Sequence, residues 1–226
     1  LAFMTKRRAA AAAGLIAAAL LAGTLFHFRY LLLGTSSAPV RARENADFQI
    51  ADLHSQVDMD GDGIDDQTDI LQGARDYIAT RPVYQSKYYA SGYPDDQYGV
   101  CTDVVARALL SAGSDLKELV RADNAAAPQA YDTQPPDANI DFRRVGNLAV
   151  YFSRHAIPLT TDVHDISQWQ GGDIVVFERH IGIVSDKRSD SGVAYVIHHS
   201  GPFQPSYEED ILEDRDDIIG HYRDSQ

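Results

Sequence analysis

The chain has 226 residues, 44% hydrophobic and 23% charged, so it is globular in composition and long enough for one well-buried domain. Its formal charge of -13 comes from 33 acidic against 20 basic residues, with no basic stripe along any segment. Nucleic acid is thereby excluded as a partner and anionic lipid headgroups are repelled, which leaves small or uncharged substrates, cell-wall polymer or protein. The single cysteine, Cys101, rules out an internal disulfide.

At the amino end, Lys6, Arg7 and Arg8 precede an unbroken apolar run from 9 to 26. That run approaches the ~20 residues needed to cross a bilayer. Positive charge on its amino side predicts that side inside and everything after it outside. Residues 1–34 therefore read as a helix anchoring the protein in the membrane. A cleavable signal peptide is the alternative, because "TSSAPVRA" offers small residues to a peptidase. Either reading exports the remainder. Residues 35–57, a mixture of Ser, Ala, Pro, Arg and Glu without periodicity at their start, read as a tether.

A domain over 58–226 then opens on "DMDGDGIDDQTD", residues 58–69. Asp58, Asp60, Asp62, Asp66 and Asp69 occupy relative positions 1, 3, 5, 9 and 12, and Gly63 stands at position 6, where a calcium loop turns sharply. The Ile64 carbonyl would supply the position-7 ligand. Asp at position 12, in place of a bidentate Glu, resembles the short calcium loops of extracellular repeat proteins. Calcium here is expected to be structural, pinning the tether to the next helix; a plain acidic turn is the competing reading.

That helix is expected over about 69–80, ended by Pro82, and a tyrosine-rich loop leads to "YGVCTDVVARALLSAG". Val104, Val105, Ala108 and Leu109 recur at helical spacing and Gly113 is a natural stop. A further helix is expected from 114 or 115 through 121, then a long proline-containing loop, then a helix capped by Asn147. "GDIVVF" (172–177), "HIGIVSD" (180–186) and "AYVIHHS" (194–200) are short β-branched runs that read as an antiparallel meander, with a last strand in "DIIGHYR". Helices followed by strands imply an α+β domain with helices packed on an antiparallel sheet. His155, His164 and His221 are expected at the surface, and Trp169 over the sheet edge.

A helix amino terminus presents unpaired N–H groups and about half a positive charge, which favour a thiolate and an oxyanion. Cys101 at such a start is therefore the candidate nucleophile, largely ionised near neutral pH. His180 and His198, at one end of adjacent predicted strands, are the candidate base and its orienting partner. Strand alternation puts His198 and His199 on opposite faces, and His198 is the one assigned to the site. Tyr98, beside the cysteine, and Arg143 and Arg144, as cations able to meet substrate carboxylates, form the candidate substrate-binding set. A zinc site on the same residues lacks the close ligand pair of structural zinc centres.

"GVCTDVV", "GDIVVF", "HIGIVSD" and "VIHHS" together resemble the NlpC-type cell-wall peptidases of the papain-like cysteine peptidase superfamily. More narrowly, "YGVCTDVVARAL", "PDANIDFRRVGNL", "VIHHSG" and "IIGHYR" resemble the bacterial domain-of-unknown-function family numbered twelve eighty-seven, over about 65–223. The resemblance implies a papain-like fold and a Cys101/His180/His198 triad. Val100 stands where the peptidases usually carry an acid, and His199 where the narrower family often has Asn.

The expected function is an exported cysteine hydrolase, an amidase or endopeptidase, acting on amide bonds of cell-wall peptides. The alternatives are a papain-like acyltransferase or a lipid or thioester hydrolase, and a non-catalytic wall-binding module.

Overall fold

The computed structural model describes residues 17–22, 24, 42–133 and 135–224. The chain divides into two units, Leu1–Gly34 and Thr35–Gln226. In the first unit the described residues are helical and exposed. The rest of the expected anchor lies outside the described residues, and among those described no helix is long and apolar enough to cross a membrane.

The second unit is a mixed α+β domain. Its main helices are α1 (Asp66–Ala79), α2 (Cys101–Ser111), α3 (Leu116–Ala126) and α4 (Val145–His155). Each start has a chemical cause where a cap is present. Asp65 caps α1 by accepting from the Thr68 N–H, and Asp115 caps α3 by accepting from the Lys117 N–H. Asn147 does not cap α4, as the sequence suggested. It lies inside the helix, where its amide donates to the Asp141 carbonyl at 3.0 Å and so fastens α4 to the preceding loop. Gly73 lets α1 and α2 approach closely, since a β-carbon there would collide with the Ser111 side chain.

In chain order the strands are β1 (Arg43–Glu44), β2 (Val83–Tyr84), β3 (Tyr98–Gly99), β4 (Ile157–Pro158), β5 (Ile174–Phe177), β6 (His180–Arg188), β7 (Ala194–Ile197), β8 (Glu208–Glu209) and β9 (Ile218–Arg223). Six of them run β4-β9-β5-β6-β7-β8 in space, with β1 also paired to β6, and every pairing is antiparallel. The expected meander is the β5-β6-β7 centre of this sheet. The tyrosine-rich loop holds the separate parallel pair β2-β3.

"IVVF" is apolar at every position because both sheet faces are covered. Ile174, Val176, Ile181 and Ile183 pack with Val104, Val105, Leu109, Leu148 and Phe152 of the helices. Val175, Phe177, Val184 and Val196 pack with Trp169, Ile211 and Leu212 on the other face. Each fully buried Phe or Ile contributes about 1.5–3 kcal/mol relative to exposure.

Three expectations are corrected by this packing. Residues 43–48 of the expected tether belong to the domain: β1 pairs with β6, and buried Asn45 accepts from the Arg188 guanidinium, which also donates to the carbonyls of Ile166, Trp169 and Gly192. Trp169 does not cover an edge but is fully buried, stacked 3.8 Å from the His221 ring. His221 is likewise interior, because Asp173 and the Thr160 carbonyl satisfy its two ring nitrogens at 3.2 and 2.8 Å.

Candidate active site

Cys101 is the first residue of α2, following extended Val100 (φ -142°). Asp103 fixes this start by accepting the Val100 N–H at 2.8 Å. The same carboxylate is gripped by two donors of Arg143 at 2.6 and 2.8 Å, and Arg143 also donates to the Lys87 carbonyl at 2.6 Å. Both side chains of this ion pair are buried, at 1% and 0% exposure. Arg143 is therefore not a substrate-binding residue: its planar fork is spent on the acid that anchors the cysteine helix. Arg144 is half-exposed, 3.6 Å from Asp141, and Tyr98 is half-buried in β3 with the Lys87 ammonium 4.2 Å above its ring.

The hairpin from β5 to β6 pairs Phe177 with His180, and the β6–β7 register pairs Ile183 with Ile197. Extending that register sets Gly182 opposite His198. A β-carbon on Gly182 would come 2.9 Å from the Ile197 carbonyl oxygen and 3.2 Å from the His198 β-carbon, so the glycine makes room for His198. Period-two alternation then aligns His180, two residues before Gly182, with His198 on one face. Their rings meet, His180 Nε2 to His198 Nδ1, at 2.8 Å.

The chain of hydrogen bonds continues to a residue the sequence did not single out. His198 Nε2 lies 3.1 Å from Glu209 Oε2, and Glu209 is 3% exposed. Gln204 steadies this end, donating to the His198 carbonyl and to Glu209 Oε2, each at 3.2 Å. A carboxylate only accepts, so His198 carries its hydrogen on Nε2 and accepts at Nδ1 from His180 Nε2–H. The lone pair of His180 is thereby assigned to Nδ1 by the network. His199 points elsewhere, its ring edge-on to Tyr84 at 5.2 Å and to Tyr207 at 5.0 Å.

Charge at the site differs from the sequence expectation in one respect. Burial pushes the Cys101 thiol up to about 11, aided by Asp103 and opposed by the amides of Ile181, Thr102 and Cys101. The helix start does supply N–H groups to the sulfur, but desolvation in this dense setting outweighs them. Burial therefore works against the thiolate that the helix start alone would favour. Burial, then His198, Arg215 and His199, hold His180 well below its ordinary value, so it starts as a neutral base. The Ile181 amide reaches the sulfur, which brings Cys101 against the residue that follows His180.

Burial, then His198, lowers His199 from 6.5 to about 4. Between those values the unfolded chain takes up the proton and the folded chain does not. The stability that a neutral His199 provides is complete above pH 6.5 and is lost as pH falls toward 4. Melting temperatures compared at pH 7.5 and pH 4.5 are expected to drop in the wild type and to drop less in His199→Phe. An equal drop in both would remove His199 from the acid response.

A cavity of about 210 Å³ adjoins these residues, lined by Arg81, Tyr84, His199, Gln204 and Tyr207 among others. Tyr84 is within electrostatic reach of Cys101: burial and then the cysteine raise its hydroxyl above the ordinary value. Arg81 is exposed and holds a left-handed backbone (φ 53°) just past α1, where its N–H donates to the Ile78 carbonyl. An L-residue in that region costs about 1–2 kcal/mol that glycine would not. Neither this cavity nor a larger one of about 550 Å³ beside α1 and α2 is lined by Cys101, His180 or His198; the smaller one reaches the series through Gln204, which bonds His198.

In the acidic loop, one carboxylate oxygen from each of Asp58, Asp60 and Asp62 lies within 4.8 Å of the others. Asp58 accepts from the amides of Gly61, Asp62 and Gly63, which folds the loop tightly. Asp66 departs from the expected set by giving Oδ1 to the Met59 amide at 2.8 Å. Asp69 is 7% exposed. Burial first, then Asp62, Asp60, Asp66 and Asp58, raise its carboxyl to about 6.

Comparison with known proteins covers most of the domain. The family described as "Domain of unknown function (DUF1287)" matches residues 71–224. The uncharacterized protein YijF of Escherichia coli (strain K12) is 40% identical over 167 residues, covering 68% of this chain and 80% of that protein. No solved structure matches the chain. Residues 71–224 carry the cysteine helix, both histidine strands and Glu209, and by this match the chain belongs to the DUF1287 family.

Proposed function

We propose that this protein is a cysteine hydrolase of papain-like, NlpC-type architecture that cleaves amide bonds in cell-wall peptides outside the cytoplasm. The observation carrying this reading is the buried series Glu209–His198–His180, which leaves one imidazole nitrogen free beside the strand whose next amide touches the Cys101 sulfur. Such a series has no use in a structural cysteine, whereas a nucleophile needs a base and the base needs an orienter. The motif resemblance supports the wall-peptide substrate, and the charged and apolar pattern of residues 1–34 supports export.

The reaction follows from the protonation states. As Sγ attacks the carbonyl carbon, its proton passes to His180 Nδ1 and the carbonyl electrons move to oxygen. The Cys101 and Thr102 amides at the α2 start, which serve the sulfur at rest, donate to the resulting oxyanion. Collapse breaks the C–N bond, and the departing amine takes the proton from His180. A water then gives a proton to His180 and attacks the thioester; the C–S bond breaks and the sulfur regains a proton. His198 and Glu209 keep the His180 hydrogen on Nε2 throughout and share the charge of its imidazolium. Arg81 and Tyr84 line the substrate cavity, Arg81 meeting a carboxylate of the peptide.

Digestion of purified wall fragments by the protein, read by mass spectrometry, tests the reading. Wild type should release new amine and carboxyl ends, Cys101→Ala none, and Arg81→Ala should raise KM more than it lowers kcat. Fragments retained by the protein but left uncut would indicate a wall-binding module.

A further inference from the structure

We infer that residues 58–69 hold one calcium ion between the oxygens of Asp58, Asp60, Asp62 and Asp69, and that the ion fastens the entering chain to the far end of the cysteine helix. Three carboxylates of the loop converge within 4.8 Å, which by itself is common on acidic surfaces. Asp69 distinguishes this cluster. It projects from α1, is 93% buried, and its Oδ2 has no hydrogen-bond partner. Asp69 stands three residues after Asp66 in the first turn of α1, on the face where Asp66 receives the Met59 amide, so its side chain lies on the loop side of the helix, although outside the 4.8 Å group. A buried carboxylate oxygen without a donor is costly, and adding four like charges makes it more so. A cation removes both penalties at once. Among the described residues nothing donates to Oδ2, and the loop amides of Gly61, Asp62, Gly63 and Ile64 are engaged by Asp58, Asp60 and Asp62.

The donor set selects the ion. Only oxygens converge here, without sulfur or imidazole, which favours a hard cation over zinc or copper. A wrapped loop with a seventh-position carbonyl suits the larger, variable shell of calcium better than the strict octahedron of magnesium. The loop sits on the turn between α2 and α3: a β-carbon on Gly113 would lie 3.1 Å from that of Asp60, and Ser114 Oγ is 3.5 Å from Met59 Sδ. The loop precedes the residues matched by the family model.

The test uses the full chain stripped with chelator and titrated calorimetrically with calcium chloride, followed by thermal melting. One equivalent of calcium should bind, and the melting temperature should rise. Magnesium at the same concentration should have little effect. Asp69→Asn keeps the shape but removes one charged ligand, and should weaken binding by about tenfold or more, because ligand charge sets affinity in such loops. Asp62→Asn, at an exposed position where the amide oxygen can still accept from the Ile64 N–H, should weaken it similarly and guards against misfolding of the first variant. Absence of calcium binding at millimolar concentration, an equal response to magnesium, or wild-type affinity in both variants would overturn the inference.

Discussion

His180→Ala is expected to lower kcat by roughly 10³-fold or more, second only to loss of the nucleophile in Cys101→Ala. Burial pushes the Cys101 thiol up, so thiolate is scarce at neutral pH and a base has to take the proton during attack. Hydroxide replaces the base in the variant, so its residual rate should climb with pH well beyond neutrality, while the wild-type rate should not. Glu209→Gln should lose less, about 10- to 10²-fold, because the amide can turn its N–H toward His198 and impose the wrong tautomer on both rings. Hydrolysis rates measured from pH 6 to 10 for the three proteins would settle the roles. A His180→Ala protein that keeps a tenth of wild-type activity at pH 7 would remove the histidine from the reaction.

Arg143→Ala is expected to destabilise the domain by about 3–5 kcal/mol, since Asp103 is left buried and charged without its partner. The melting temperature should fall by about 6–20 °C, at roughly 2–4 °C per kcal/mol for a domain of this size. The loss would also free Asp103 from the Val100 amide and loosen the first turn of α2, which connects stability to chemistry through one carboxylate. The paired change Asp103→Asn with Arg143→Met should recover part of the loss, because no charge then remains buried. Urea denaturation gives both values. A loss below about 1 kcal/mol for Arg143→Ala would mean that water enters to solvate Asp103.

The strands of the site were legible because β-branched runs bounded by turns have little other use; strand alternation put His198 and His199 on opposite faces, and the β6–β7 register is what brings the His198 ring to His180. Cys101 was legible as a helix start from the periodicity that follows it. Glu209 was not, because it belongs to a strand of only two residues, Glu208–Glu209, with no alternation to read. Its one signal was the acidic pair in "YEED", indistinguishable from solvated surface charge. Arg143 misled for a similar reason: its partner Asp103 lies forty residues earlier, and nothing local marks a buried pair. The thiol was misjudged because a helix start is visible in sequence while the density around the sulfur is not. His221 and Trp169 turned out interior because Asp173, fully buried, gathers His221 and Arg223 about it. The spacing of the acidic loop raised the expectation of a cation site, but only the fold revealed that Asp66 is diverted and Asp69 Oδ2 is left without a donor.

The central claim is that Cys101 forms the covalent intermediate, and the intact mass of the protein tests it most directly. The protein would be mixed with wall-peptide fragments, quenched in acid within the first turnover, and digested to locate any added mass. An acyl group on the peptide containing Cys101, present in wild type and absent in His180→Ala, is the predicted result. Release of cleaved fragments with Cys101 unmodified, or an adduct on any other residue, would contradict the account.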